Sequence, residues 1–349
     1  MAYTTIDDPT KYFNTVLYTG NGSTQSITGV GFQPDWVWIK ERNGAQNHVV
    51  YDIVRGTTKS LIPDGTDAET ERSGITSFDS DGFSIGSNGK SNTNTDTYVA
   101  WNWKAGGSAS SNSDGTGITS SVSANTTAGF SIVSYTGSGT TSNTVGHGLS
   151  SIDWLIVKSR DEADSWFVKH KSLSSNHNLN LNQTVAQTNV TSAYSEGGLS
   201  NLSGNTFGFL DGTSDANAVN ESGEKHIAYC FKEVKGYSKF GSYTGNGNAD
   251  GTFVYTGFSP AFVIFKSSSN TTEWILHDNK RLGYNGAVRA LFPNNSDPDS
   301  SNSRMDFVSN GFKIRDSSEH WNGNGYSFIY MAFAEAPFVN SKGVPCNAR

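Results

Sequence analysis

Two carboxylates held about 5 to 10 Å apart can hydrolyse a glycosidic bond, one donating a proton while the other attacks carbon or activates water. The chain offers two acidic clusters, Glu69 with Glu71 and Asp161-Glu162 with Asp164. Both lie in polar, turn-like stretches with no counterpart at equal spacing elsewhere, so each reads as a solvated loop. The seven histidines are scattered, and no His-Glu-x-x-His pair or Gly-x-x-x-x-Gly-Lys-Ser/Thr phosphate loop occurs. Cys230 and Cys346 are the only cysteines. Neither has a Cys-x-x-Cys partner or a zinc-type spacing to histidine, which excludes a disulfide framework and a zinc ribbon. Cys230, between Tyr229 and Phe231, reads as a small core residue. Asn246-x-Asn248-x-Asp250-Gly251 matches the first half of a calcium loop, but its twelfth position is Gly257 instead of a bidentate glutamate. An Asn-Gly turn accounts for it. The expectation is no catalytic residue, no metal and no cofactor.

Recognition chemistry remains. In His320-Trp321-Asn322-Gly323-Asn324-Gly325-Tyr326, two large aromatics sit in a glycine-rich loop with amides between them. A stacking ring flanked by amides suits one face of a sugar, so Trp321, Asn322, Asn324 and Tyr326 are the candidate binding residues, for a glycan or for a subunit interface, and a Trp packed down over its own sandwich edge is the alternative. The other aromatic feature, Trp101-x-Trp103, could be a second sugar platform. Its counterparts are Tyr229 with Phe231 and Met331 with Phe333. Volume is kept there and ring chemistry is not, so these pairs read as sandwich core.

Those counterparts exist because the chain repeats. Tyr18-Thr19-Gly20, Tyr135-Thr136-Gly137 and Tyr243-Thr244-Gly245 lie roughly 110 residues apart, a spacing typical of one domain each. Each is followed by an apolar run closed by lysine: Trp36 to Lys40, Trp154 to Lys158 and Phe262 to Lys266. Next come Leu-x-x-(Asp/Asn)-x-(Ser/Thr) at Leu61, Leu179 and Leu291, a Gly-Phe turn at Gly82, Gly208 and Gly311, and a closing strand of alternating bulky residues. The apolar runs suit strands buried on both faces. The expected fold is all-β, three tandem antiparallel β-sandwich, jelly-roll-like repeats with little helix. Val49 to Leu61 is the longest helix candidate and can hold only a turn or two. The expected boundaries are an N-terminal arm at 1–17, repeats at 18–104, 128–235 and 236–338, and a tail at 339–349. Between the first two repeats, 105–127 is rich in Gly, Ser, Asn and Thr and reads as a flexible linker.

Composition narrows the function classes. With 25 basic and 32 acidic residues the net charge is −7, which gives no electrostatic footprint for nucleic acid and none for an anionic membrane. No apolar run reaches the roughly 20 residues of a spanning helix, and the start Met1-Ala2-Tyr3-Thr4-Thr5 carries no signal-peptide pattern. A protein made without a cleavable leader is expected.

Five stretches carry a family likeness: Phe78 to Phe83, Tyr98 to Gly107, Phe240 to Gly247, Gly257 to Phe262 and Met331 to Phe338. Together with Thr5-Ile6-Asp7-Asp8-Pro9, they resemble a widespread group of virion structural proteins with repeated β-sandwich modules, encoded by marine tailed bacteriophages. That resemblance implies a non-enzymatic part of a phage particle, assembled in the host cytoplasm and displayed on the virion surface. It carries no catalytic residues to transfer. The leading expectation is a tail-fibre or tail-tip component that adheres to host-surface glycan. A capsid decoration protein is the runner-up, and a polysaccharide-active enzyme comes third. The expected partners are copies of itself, as a homotrimer, and other virion proteins.

Overall fold

The computed structural model describes residues 3–191, 198–200, 202–210, 218–281, 289–300 and 304–346. The fold is all-β, built of antiparallel sheets. One pair of sheets recurs three times along the chain. In the first unit the order in the larger sheet is Phe13–Thr19, Thr97–Trp103, Trp36–Glu41, Val49–Asp52. Its smaller sheet runs Gln25–Thr28, Gly82–Ile85, Ile75–Asp79. The second and third units keep both orders. Tyr18, Tyr135 and Tyr243 each stand next to last in the first strand of their unit. Among the described residues, helix is confined to Gly89–Asn92, Glu319–Asn322 and a 3-10 turn at Pro9–Lys11. The stretch 49–61 forms the strand Val49–Asp52 and a turn, because Gly56 at φ +92° and Thr58 at φ +65° do not continue a helix.

Strand alternation explains where the aromatics go. Along Thr97–Trp103, Tyr98 and Ala100 face the smaller sheet of the same unit, and Val99, Trp101 and Trp103 point the other way. Trp36 and Trp38 share that second face, while Val37 and Ile39 join the sandwich interior. The other units repeat the division: Tyr229, Phe231 and Trp154 on one face with Cys230 and Leu155 behind, then Met331, Phe333 and Phe262 with Ala332 and Val263 behind. The second faces of all three larger sheets meet in one common core. The aromatic pairs are buried as expected, but their place is corrected: they lie between units and not between the two sheets of each unit. Trp36 stacks on Tyr229 at 4.5 Å, and Phe13 on Phe333 at 5.2 Å.

The seams around this core match one another. Glu69 N–H donates to the Arg160 carbonyl at 2.8 Å, Asp299 N–H to the Arg42 carbonyl at 2.8 Å, and Gln187 N–H to the Ser268 carbonyl at 2.9 Å. Those bonds tie second to first, first to third and third to second, so the units close a ring. Trp166 Nε1 donates to the Ile62 carbonyl and Trp274 Nε1 to the Asn180 carbonyl, each at 2.9 Å. The third such bond comes from His48, whose Nδ1 accepts from Trp38 Nε1 at 2.9 Å; the proton is therefore on Nε2, 3.1 Å from the Phe292 carbonyl. Arg160 grips Glu69 through two nitrogens and Arg42 meets Asp299 at 3.0 Å, while the third seam has neutral Ser268 and Gln187 there.

Two fully buried ion pairs brace the ring from within, Asp52 with Arg55 and Asp278 with Arg281, each at 2.5 Å. A neighbouring unit supplies an extra donor to each carboxylate: Tyr229 Oη to Asp52 at 2.7 Å, Trp101 Nε1 to Asp278 at 3.0 Å. Burial alone would raise the Asp278 carboxyl, but Arg281 beside it and this indole hold it below the usual range. At the third equivalent place the pair becomes His170 and Leu173 and the donor becomes Met331. A buried carboxylate without its cation costs several kcal/mol, so pair and donor disappear together.

Two expected boundaries and one turn alignment change. Residues 105–127 are not a flexible linker: Ser110–Asn112 pairs with Ser120–Asn125, which pairs with Phe130–Thr136, adding two strands to one edge of the second unit's larger sheet, while His177–Asn180 and Thr188–Asn189 add two at the other edge to make eight. Nor is 1–17 a detachable arm. Phe13 begins the first strand, and Ile6 and Phe13 lie in the common core. Asp7 accepts two hydrogen bonds from Ser341 of the tail, at 2.5 and 2.6 Å. The Gly-Phe turn of the second unit also slips by two residues, since Phe207 and not Phe209 pairs as Phe83 and Phe312 do.

Trp103→Ala should therefore loosen three units at once. The expected loss is about 3–5 kcal/mol in urea unfolding, the usual cost of emptying an aromatic core site, as a shift of a single transition. Separate transitions for the units would count against a shared core.

Candidate functional site

The loop 320–326 is a structural joint. Trp321 is only 5% exposed, with Arg304 over its ring at 4.5 Å and its Nε1 donating to His277 Nε2 at 3.4 Å. Asn322 is fully buried: its Oδ1 accepts from Asn246 N–H at 3.0 Å, and its Nδ2 donates to Asn246 Oδ1 at 2.6 Å and to the Asn248 carbonyl at 2.8 Å. Of the four candidate binding residues, Asn324 is exposed and Tyr326 half-buried. The stacking ring expected at Trp321 is thus turned inward.

The same joint occurs in every unit. Asn92 accepts from Asn21 N–H at 2.8 Å, and Asn220 accepts from Ser138 N–H at 2.9 Å, both from full burial. Each tyrosine of the Tyr-Thr-Gly signature donates to the carbonyl just before that asparagine: Tyr18 to Ser91 at 2.7 Å, Tyr135 to Val219 at 2.5 Å, Tyr243 to Trp321 at 2.8 Å. The glycine is needed because the strand passes over a carbonyl. A Cβ on Gly245 would come within 2.2 Å of the Gly323 oxygen. The asparagine of the Leu-x-x-(Asp/Asn) pattern has a similar task, Asn182 accepting from Trp166 N–H at 3.0 Å and Asn294 from Trp274 N–H at 2.8 Å.

The lysines that close the apolar runs point inward. Lys40, Lys158 and Lys266 each donate to the next residue's carbonyl at 2.6 to 2.8 Å and to one four residues on at 2.8 to 3.2 Å. Burial brings the first two down to about 8 and Lys266 to about 7. Burial likewise holds His147 and His226 near 4 and His170 and His277 near 3.

Three of the five carboxylates considered for catalysis have named structural partners. Glu69 serves Arg160 and Arg55, Glu71 pairs with Lys59, and Asp161 caps Lys225 N–H at 2.8 Å. In the calcium-like loop, Asn246 and Asn248 accept from the backbone two residues on, at 3.0 and 2.9 Å, and Asp250 pairs with Lys313 at 2.8 Å. Gly82-Phe83-Ser84-Ile85-Gly86 carries the letters of a nucleophile elbow, yet it runs along a strand, with Ser84 bonded to Asp79 and Ser26. Among the described residues no group of three or more His, Cys, Asp or Glu is placed to hold a metal. Two shallow depressions, near Lys225 and near Lys104, have volumes of about 390 and 430 Å³. Among the described residues, the exposed surface carries a feature that sequence reasoning missed, the outward aromatics Phe253 and Tyr255 at 45% and 54% exposure. The alternation Phe-Val-Tyr was the available signal.

If loop 320–326 is a joint, Asn322→Ala should cost about 1–3 kcal/mol per buried group left unpaired and should lower the melting temperature. An unchanged melting temperature would return the loop to a binding role. Acid should also destabilise the fold. Unfolded histidines titrate near 6.5 and the buried ones near 3 to 4, so between those values the unfolded state holds more protons and stability falls with falling pH. The buried lysines act in the same sense between about 8 and their usual 10.5, so stability should rise from pH 4 to about pH 9. Above pH 10 it should fall, because buried tyrosines such as Tyr135 and Tyr243 stay protonated while unfolded ones ionise. Thermal melts across this range check both limbs; a maximum below pH 6 would contradict them.

No curated protein and no solved structure matches the chain. One family does, over residues 8–337, which include every strand of the three sheet pairs. The chain belongs to that family, described as a domain of unknown function, DUF7483.

Proposed function

We propose that the chain is a non-enzymatic structural part of a bacteriophage particle, a tail-fibre or tail-tip component displayed on the virion surface that meets host-surface glycan. The observation that carries this reading is where the reactive side chains go. Carboxylates, lysines and histidines that could do chemistry are tied into seams, loops and strand ends, and they support a rigid body better than a turnover site. The resemblance to phage virion proteins supplies the particle. Copies of the chain and other virion proteins join through outer surfaces, since a single chain already closes its own core.

A second reading, a decoration protein on the head, draws on the ring itself. Three similar units around one axis fit a threefold position on a symmetric shell. Immunogold labelling of virions decides between the two. Gold along the tail is the expected result, gold on the head selects decoration, and unlabelled particles overturn both.

A further inference from the structure

The repeat acts as an internal control on its own surface. The positions flanking the inward residue on the first strand of the smaller sheet carry exposed Ser26 and Thr28 in the first unit, and in the second Thr144 and Gly146, which the segment 112–116 covers. In the third unit the same positions are Phe253 and Tyr255. The inward residue between them is apolar each time, Ile27, Val145 and Val254. The fold therefore needs the middle residue and has no need of the two rings.

These rings stand on an edge strand, and Tyr255 has a fixed neighbour. Tyr3 Oη donates to the Gly257 carbonyl at 2.8 Å and lies 3.3 Å from Tyr255 Oη, and Lys235 caps the Tyr3 ring at 4.7 Å. Across the strand Phe253 faces Lys313, which pairs with Asp250, and Arg315 bridges Asp250 and Asp306. The patch thus combines two ring faces two residues apart, roughly 7 Å along the strand, with fixed donors and acceptors beside them.

Size selects the occupant. Large aromatic side chains bury about 150–250 Å² each when fully covered, so two half-exposed rings offer on the order of 200 Å². A stable protein interface takes about 800 Å² per partner. A sugar ring is small enough, has a C–H face to stack and hydroxyls to pair with the flanking charges. We propose that Phe253 and Tyr255, with Lys313 and Asp250 beside them, form a platform for pyranose rings of a polysaccharide. This rests on the adhesion reading above and gives it a location.

The test uses the full-length protein and two double variants. Phe253→Ser with Tyr255→Thr installs the side chains that the first unit carries, so folding is preserved by precedent within the chain. Phe253→Tyr with Tyr255→Phe keeps both rings. Affinity electrophoresis through gels containing dextran, laminarin or alginate should retard the wild type in at least one gel. The Ser/Thr variant should bind about tenfold more weakly or worse with an unchanged melting temperature, and the ring-preserving variant should stay within about threefold of wild type. Equal retardation of wild type and Ser/Thr variant, or none in any gel, overturns the platform. So does a dimer on size exclusion that the Ser/Thr variant dissociates, which would make the patch a protein contact. Gold labelling on tails alongside any of these failures would leave the virion assignment standing.

Discussion

A strand that is apolar on both faces has to be covered twice, and each unit of this protein has only one partner sheet to offer. The smaller sheet covers one face. Trp36, Trp38, Trp101 and Trp103 cover nothing within their own sandwich, and neither do their counterparts, so the three larger sheets turn these faces toward each other. Burying fifteen aromatic side chains and a frame of aliphatic ones in one place sets the ring geometry, the seams and the need for both chain ends. Not every polar atom is satisfied there: the indole N–H groups of Trp36 and Trp103 lack acceptors, so volume took precedence over hydrogen bonding.

Much of this was legible in the sequence, and the limits are instructive. Period-two patterning placed both members of each aromatic pair on one strand face, and two-sided apolar runs announced strands covered on both sides. Patterning says that a face is buried but not by what, so the pairs were assigned to the wrong core. The Tyr-Thr-Gly signature was visible as a repeat, whereas its cause, a hydroxyl and a glycine fitted around a buried asparagine, needs atoms some 75 residues away. Trp321 was left open between stacking and packing for a related reason. In the other units its place is taken by Ser91 and Val219, and only the surroundings show that the indole fills space against His277 and Arg304.

Composition misled in the segment 105–127. Gly, Ser and Asn suit a tether, but they also suit exposed edge strands, where side chains need only be polar and backbone pairing does the holding. The termini show the converse. The segment before Tyr18 belongs to no repeat by sequence, yet Ile6 and Phe13 fill the core where the first and third units meet.

That arrangement sets the order of events during synthesis. The first unit leaves the ribosome with a broad indole-rich face and nothing to set against it, and the second covers only part. Closure waits for Phe262, Met331 and Phe333 of the last of the three units, and for the serine after it that grips Asp7. A nascent chain in this state is exposed to aggregation. Any truncation that removes the last unit releases a sticky fragment in place of a smaller working protein.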